Sequence, residues 1–403
     1  MKPGVRVLVH DDELLAAATV FRTALVGLPP LPHGADLPRL FEPGRTLGAF
    51  VDGELAGTAD SYSGWLVVPG GKRVPHAAVT HVGVLPTHTR RGIVTELLRH
   101  QLADLARRGE VVATLRASEA VIYERFGYGV ASSFARRELS RRDARLRDTV
   151  PGGGRVRLVD ATASWKLLTR IYESGEVFRA GAIHRPDHWW RLQELRRGGE
   201  TGPSYVAVHG PADAEEGFVR YHPIDTAEWF TSRERTIVVD DLVATTPEAY
   251  TGLIRHLLAV DLVDRIVFPH TALDDPLAAL LTDERAVRTV SVSDETWLRI
   301  LDVPAALDGR TYRSAPAVVL AVTDDLLPEN TGSYLITAEG AARTDAPADL
   351  SVDVATLGAL YLGGSRWWQH VRAGRVTVHR SGAAEAADEL FGTDALPFSG
   401  TFF

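Results

Sequence analysis

Cysteine is absent from this chain of 403 residues. That absence excludes disulfide scaffolds, thiolate zinc sites and thiol nucleophiles. Acyl chemistry, if present, must then run by direct transfer or through serine. Long apolar runs are missing as well: no stretch reaches the roughly 18 residues that a membrane-spanning helix needs. The opening Met1–Val9 segment is too short for a secretory leader and turns acidic at Asp11, Asp12 and Glu13. Excess positive charge is also lacking. The net charge of −8 is the opposite of the basic surface that phosphate-backbone binding requires. It is compatible with a cationic substrate, although a slightly acidic cytoplasmic protein carries the same balance. What is present is ordinary globular composition, 45% hydrophobic and 24% charged. A soluble cytoplasmic protein of two or three domains is expected, without nucleic-acid or membrane partners, because one core rarely grows past about 250–300 residues.

Two boundaries divide the sequence. Ser140–Arg147 is a charged run leading into Pro151-Gly152-Gly153-Gly154, a composition that reads as a linker. The second lies near Ser291–Glu295, where Trp297–Val303 opens a new apolar pattern. The expected domains are 1–145, 150–290 and 294–403. In the first, Thr46–Val51 and Glu54–Tyr62 form strands around an Asp52-Gly53 hairpin turn. Ala77–Val84 is a third strand, Ile93–Arg107 an amphipathic helix stopped by Gly109, and Glu110–Leu115 a returning strand. This order describes an α/β layer around a mixed sheet. The middle segment echoes it: Tyr205–His209 and Gly217–Tyr221 as a hairpin, then Ile237–Val243, a helix from Pro247 to Val260, and Arg265–Phe268. Two copies of one fold are inferred, and only the first has a glycine loop with cations.

That loop reads Val82-Gly83-Val84-Leu85-Pro86-Thr87-His88-Thr89-Arg90-Arg91-Gly92-Ile93-Val94. A strand ends, proline breaks the ladder, and a helix starts at Gly92. The free N–H groups at the helix start, a glycine that permits close approach and two arginines together describe a seat for a phosphate-bearing ligand. The alternative is a solvated basic loop ahead of an ordinary helix. Downstream, Ser118–Phe126 reads as a short helix with Ser118 as N-cap and Gly127 as stop. It carries Glu119 and Tyr123, with Tyr128 beyond the glycine. A tyrosine hydroxyl can protonate a departing thiolate; either ring can equally be core. The chain ends Phe398-Ser399-Gly400-Thr401-Phe402-Phe403, and leaving each of these phenylalanines in water costs roughly 1.5–3 kcal/mol. The tail is therefore expected to be buried and to carry its carboxylate inward. Burial raises a terminal carboxyl pKa and makes it a better proton acceptor; a tail that merely plugs a groove is the competing reading.

The pattern Val82-x-Val84-x-Pro86-x-x-x-Arg90-Arg91-Gly92-Ile93 resembles the acetyl-CoA loop of the GNAT N-acetyltransferase superfamily. It departs at Thr89, where arginine or glutamine is usual, and at Val94, where a small residue is usual. The segment Ile122–Gly129, the three-domain length and the aromatic terminus resemble the enhanced intracellular survival (Eis) acetyltransferases. The likeness covers the whole chain, including Trp297–Leu307 and Leu350–Gly364. It implies an α/β and α+β multidomain protein: two tandem GNAT-like domains, each a mixed sheet with flanking helices, the second degenerate, plus a sterol carrier protein-like C-terminal domain. It also implies acetyl-CoA as donor, a small-molecule amine such as an aminoglycoside as acceptor, and a homohexamer. By this resemblance acetyl-CoA contacts fall on Val82, Gly83, Val84, Arg90, Arg91, Gly92, Ile93, Val94, Thr95, Ser118 and Glu119. The general acid falls on Tyr123 and the general base on the α-carboxylate of Phe403. Residues 25–45, where substrate contacts are expected, follow no pattern that aligns. An acyl-CoA- or lipid-binding protein without chemistry, or a dedicated protein-lysine acetyltransferase, would keep the same folds.

His81, His88 and His100 lack metal-ligand spacing, so no metal is expected. Trp189-Trp190 and Trp367-Trp368 read as core or interface anchors. Arg136-Arg137 and Arg141-Arg142 read as solvated faces.

Overall fold

A computed structural model describes residues 3–28, 36, 39–174, 179–198 and 202–403. Residues 29–35, 37 and 38 of the unaligned 25–45 segment lie outside the described residues. The chain forms two compact units, one of residues 1–132, 178–195 and 294–403, the other of residues 133–177 and 196–293.

The first unit begins with β1 (Gly4–Val7), α1 (Asp11–Ala24), β2 (Leu47–Val51), β3 (Glu54–Val67), β4 (Arg73–Val84), α2 (Ile93–Arg107) and β5 (Val112–Leu115). The strands lie side by side in that order. Trp297–Ile300 pairs antiparallel with the far edge of β5. Among these described strands β4 and β5 pair parallel and the others antiparallel, so the sheet is mixed. β2 and β3 join through Asp52 and Gly53, both at positive φ, the backbone of a tight hairpin turn. β3 runs past its expected end: Ser63 and Gly64 pair with Ala77 and His76, since β4 supplies partners that a local pattern does not reveal. α2 keeps its expected bounds, burying Leu97, Leu98, Leu102 and Leu105.

The remainder of this unit is an α+β layer. A five-stranded sheet runs in the order Gly340–Thr344, Gly332–Thr337, Val318–Thr323, Leu350–Asp353, Val376–Val378. Helices Val354–Tyr361 and Ala383–Leu390 cover it, around a core that includes Leu320, Ile336, Leu357, Trp367 and Leu390. Trp189, Trp190 and Trp367 are buried, whereas Trp368 is half exposed.

In the second unit, strands Arg265–Ala272, Thr236–Ala244, Gly217–Ile224, Tyr205–His209 and Val156–Val159 follow one another across a sheet that starts from residues 134–140. Thr236–Val238 and Arg265–Val267 are parallel, and helix Pro247–Ala259 connects them. The strand–helix–strand order of the first unit recurs. Its helix starts from an ordinary cap, Thr246 Oγ1 accepting from Ala249 N at 3.1 Å. One sequence expectation fails here. Arg137 is not solvated: it is 8% exposed and donates to the Leu273 carbonyl at 2.8 Å, because it belongs to the strand Gly129–Ser140. Arg141 likewise donates to the Leu258 carbonyl. The division between the two units at Ser293 and Asp294 falls within the second expected boundary region, inside the continuous strand Val287–Ile300. No helix of the described residues is long and apolar enough to cross a membrane.

Candidate active site

The parallel pairing of β4 with β5 covers only His76–Ala78 against Val112–Thr114. Beyond it β5 ends at Leu115 while β4 continues to Val84. Val82, Gly83 and Val84 therefore lie on a length of β4 that has parted from β5. Pro86–His88 makes one tight turn, and the backbone then bends at Arg90 (φ +62°) and Gly92 (φ +77°). Gly92 is the N-cap of α2, and at that φ any side chain would be strained. Arg90 and Arg91 are exposed, Ile93 is buried in the core, and Val94 and Thr95 are half-buried on the first helical turn. The free amides and the positive end of α2 thus face open space beside two guanidinium groups, an arrangement suited to a pyrophosphate. Arg90 holds a left-handed conformation that the sequence pattern did not signal.

After β5 the chain turns into α3, which is shorter than expected. It spans Ala120–Tyr123, continues as a tight turn over Glu124–Phe126 and stops at Gly127 (φ +83°). A Cβ on Gly127 would strike the Arg299 guanidinium at 2.8 Å. Ser118 is not the N-cap; Glu119 is, without a side-chain cap bond. Burial raises the Tyr123 pKa, neighbouring Ser118 lowers it and nearby Glu119 raises it, and the net direction is upward. The Tyr123 ring packs edge-on to Tyr128 at 6.1 Å. Tyr128 is fully buried, its hydroxyl has no hydrogen-bond partner, and burial pushes its pKa upward. The exposed residues Ser118 and Glu119 lie near enough to Tyr123 to influence its pKa.

The C-terminal tail enters the same unit, held by residues that the sequence did not single out. Glu295, whose side chain is fully buried, accepts from Ser399 N at 2.9 Å and Gly400 N at 3.0 Å. It also accepts from Ser132 Oγ at 2.8 Å and Arg116 Nη2 at 3.1 Å. Arg116 donates in turn to the Thr401 carbonyl at 2.8 Å. Arg185 donates to Thr401 Oγ1 and to the Gly400 carbonyl, each at 3.0 Å. Trp189 Nε1 donates to the Phe402 carbonyl at 2.8 Å. The expectation that three phenyl rings bury the tail is corrected: Phe402 is 53% exposed and Phe398 and Phe403 are only half-buried. Backbone hydrogen bonds to a buried carboxylate and two arginines fix the tail, with Ser399 and Thr401 buried beneath. The Phe403 ring meets Tyr62 of β3 edge-on at 5.8 Å, and His188 meets the same tyrosine at 5.0 Å. Burial lowers the His188 pKa.

The nominated residues thus gather on two sides of the β4–β5 parting: Val82–Thr95 from β4 into α2, and Ser118, Glu119 and Tyr123 beyond β5. Arg116, between β5 and Ser118, ties the second group to the tail. Glu295, Arg116, Arg185, Ser132 and Tyr62 were missed, and no local sequence signal marks their roles. Among the described residues no group of histidine and carboxylate side chains is placed to hold a metal ion.

The sequence matches the acetyltransferase (GNAT) domain over residues 8–131, a second acetyltransferase (GNAT) domain over 181–300, and the sterol carrier protein domain over 303–400. A Streptomyces griseus protein named as an N-acetyltransferase is 36% identical, covering 91% of this chain and 89% of the other. The N-acetyltransferase Eis of Mycobacterium tuberculosis is 35% identical over 86% of this chain and 85% of its own. The solved structure of Eis1 from Mycobacterium abscessus superposes with a TM-score of 0.93 at 52% identity, over 99% of this chain and 100% of that one. A GCN5-related N-acetyltransferase from Anabaena variabilis shares the fold alone, with a TM-score of 0.83 at 18% identity.

Proposed function

This chain belongs to the Eis family of GNAT-superfamily N-acetyltransferases, and from that premise we propose that it transfers acetyl from acetyl-CoA to a primary amine, with an aminoglycoside as the acceptor class. GNAT acetyltransferases use acetyl-CoA. Here the free amides of residues 92–95 with Arg90 and Arg91 would hold its pyrophosphate, and Val82–Val84 its pantetheine along the unpaired length of β4. Ser118 and Glu119 would line the opposite side.

The amine nitrogen bonds to the acetyl carbon, the carbon–sulfur bond breaks, and the sulfur leaves as thiolate. Tyr123 donates the proton that the thiolate needs. Its raised pKa keeps it protonated at neutral pH, so the acid is in its working form. The proton lost by nitrogen passes to the Phe403 carboxylate, whose negative charge also attracts a substrate ammonium. The observation that carries this reading is the tail clasp. Glu295, Arg116, Arg185 and Trp189 hold residues 399–402, which lead directly to Phe403, by hydrogen bonds, a fixation that a frayed end does not need.

The test is CoA-thiol release from acetyl-CoA with a panel of aminoglycosides and a lysine peptide. Wild type is expected to turn over aminoglycosides. Tyr123→Phe keeps the ring and should lose roughly 10²–10⁴-fold in kcat with its acetyl-CoA affinity intact. No thiol release with any amine, alongside tight acetyl-CoA binding, would instead identify a binding protein. The family resemblance extends the proposal to a cytoplasmic homohexamer, which sedimentation velocity checks.

A further inference from the structure

One histidine on the tail's side of the sheet takes no part in these steps. Where β4 faces β3, Thr58 pairs with Gly83 and Asp60 with Thr80, so His81 and Val82 together oppose Ala59. Such a bulge re-aims a side chain, and His81 stands at φ +52°, a region in which non-glycine residues mark functional or strained sites. The turned ring meets Asp60, with Nδ1 at 3.2 Å from Oδ2. Asp60 is buried, and its other oxygen accepts from Thr46 Oγ1 at 3.0 Å. Phe21 and Phe41 wall the ring at 4.7 and 5.6 Å, yet 20% of the side chain stays open.

With Nδ1–H given to a carboxylate, the lone pair of the neutral ring sits on Nε2. A carboxylate behind a histidine fixes the tautomer and stabilises the cation that forms when Nε2 takes a proton. The position also fits. Asp60 and Tyr62 are two apart on β3 and share a face, and Tyr62 carries the Phe403 ring. His81 itself directly precedes Val82–Val84. Burial lowers the pKa of His188 and of His76, and neither has a carboxylate hydrogen-bonded to its ring.

We propose that the Asp60–His81 pair is a second proton acceptor for the attacking amine, working beside the Phe403 carboxylate. The proposal rests on the acetyltransferase reading of this site. Nitrogen bonds to the acetyl carbon and the carbon–sulfur bond breaks. Of the two protons that a substrate ammonium must lose, one goes to His81 Nε2 and the other to the Phe403 carboxylate, and the thiolate takes the proton of Tyr123. His81 then returns its proton to water, and Tyr123 regains one. Asp60 is the positioning residue; His81 is the catalytic one.

The test uses the full chain, acetyl-CoA and the amine panel. His81→Phe preserves the packing against Phe21 and Phe41. It should lower kcat by roughly 10²-fold while the KM for acetyl-CoA and the melting temperature hold. His81→Ala should fall similarly and regain activity when imidazole is added, a response that a packing role would not give. Asp60→Asn should lower kcat in wild-type-like protein, and imidazole should not rescue it. Removal of Phe403 combined with His81→Phe should multiply the two losses. A His81→Phe enzyme within about two-fold of wild type, or a His81→Ala enzyme deaf to imidazole, overturns the proposal. If removing Phe403 leaves turnover intact while His81→Phe abolishes it, the terminal base fails and the histidine stands. The reverse pattern removes the histidine and keeps the terminal base.

Discussion

Glu295 shows how far a single buried carboxylate reaches. It joins Ser132, Arg116 and the amides of Ser399 and Gly400, groups that lie 163, 179, 104 and 105 residues from it along the chain. No local pattern could have marked it, since a carboxylate in Asp294-Glu295-Thr296 looks like any surface residue. Tyr123 and Phe403 were legible only through resemblance, because phenylalanine at a terminus and tyrosine in a short helix are ordinary packing residues by their chemistry alone. Glu295→Ala would leave Arg116 buried without its charge partner and two amides without acceptors. Breaking a buried pair in this way costs about 3–5 kcal/mol. Urea denaturation should report that loss, and carboxypeptidase should trim the tail of the variant faster than that of wild type. A variant of wild-type stability with a protected tail would mean that the arginines and Trp189 suffice. For Tyr123, the upward pKa shift keeps the acid protonated past the ordinary phenol value of 10.0, so the alkaline loss of kcat attributable to it should begin above that pH.

At the scale of elements, legibility followed periodicity. α2 was readable to its ends because a 3.6-residue stripe ran between two glycines, and the Asp52-Gly53 hairpin because that pair prefers positive φ. Gly129–Ser140 was not readable as a strand. Its Arg136-Arg137-Glu138 stretch is strongly charged, and the partner that buries Arg137 is the carbonyl of Leu273, far along the chain. The short helix was placed correctly but begun too early, since Glu119 rather than Ser118 takes the extended cap conformation ahead of Ala120. The loop ahead of α2 makes its own demand. Gly92→Ala places a Cβ in the left-handed region, at a cost of about 1 kcal/mol. Nothing lies within 4 Å of that position, so the effect is conformational. The expected outcome is a several-fold rise in the KM for acetyl-CoA with kcat little changed. An unchanged KM would mean that the loop does not seat the donor.

Across the whole molecule, the repeat of hairpin, strand, helix and strand was legible as order, and the two matched acetyltransferase domains bear out that reading of the fold. The sterol carrier protein domain came from resemblance and is matched over residues 303–400. A global consequence follows from His76, buried on β4 with Nε2 at 2.7 Å from Thr114 Oγ1. Burial, with nearby His184, lowers its pKa from 6.5 to about 3. The unfolded chain takes up this proton below 6.5, and the folded chain takes it up only near 3. Stability therefore holds above 6.5 from this group and falls as pH drops through that window. Melting temperature should decline between pH 7 and pH 5, and less steeply in His76→Leu. Equal slopes would assign the acid sensitivity to other groups.

The central claim, that the chain's last carboxylate takes part in acetyl transfer, is tested most directly by removing its charge and nothing else. A semisynthetic protein ending in the Phe403 carboxamide retains every ring and every tail hydrogen bond described above. With melting temperature and acetyl-CoA affinity at wild-type values, its kcat for aminoglycoside acetylation is expected to fall by roughly 10²-fold or more. Wild-type turnover by the carboxamide would contradict the claim and leave the tail as a structural clasp.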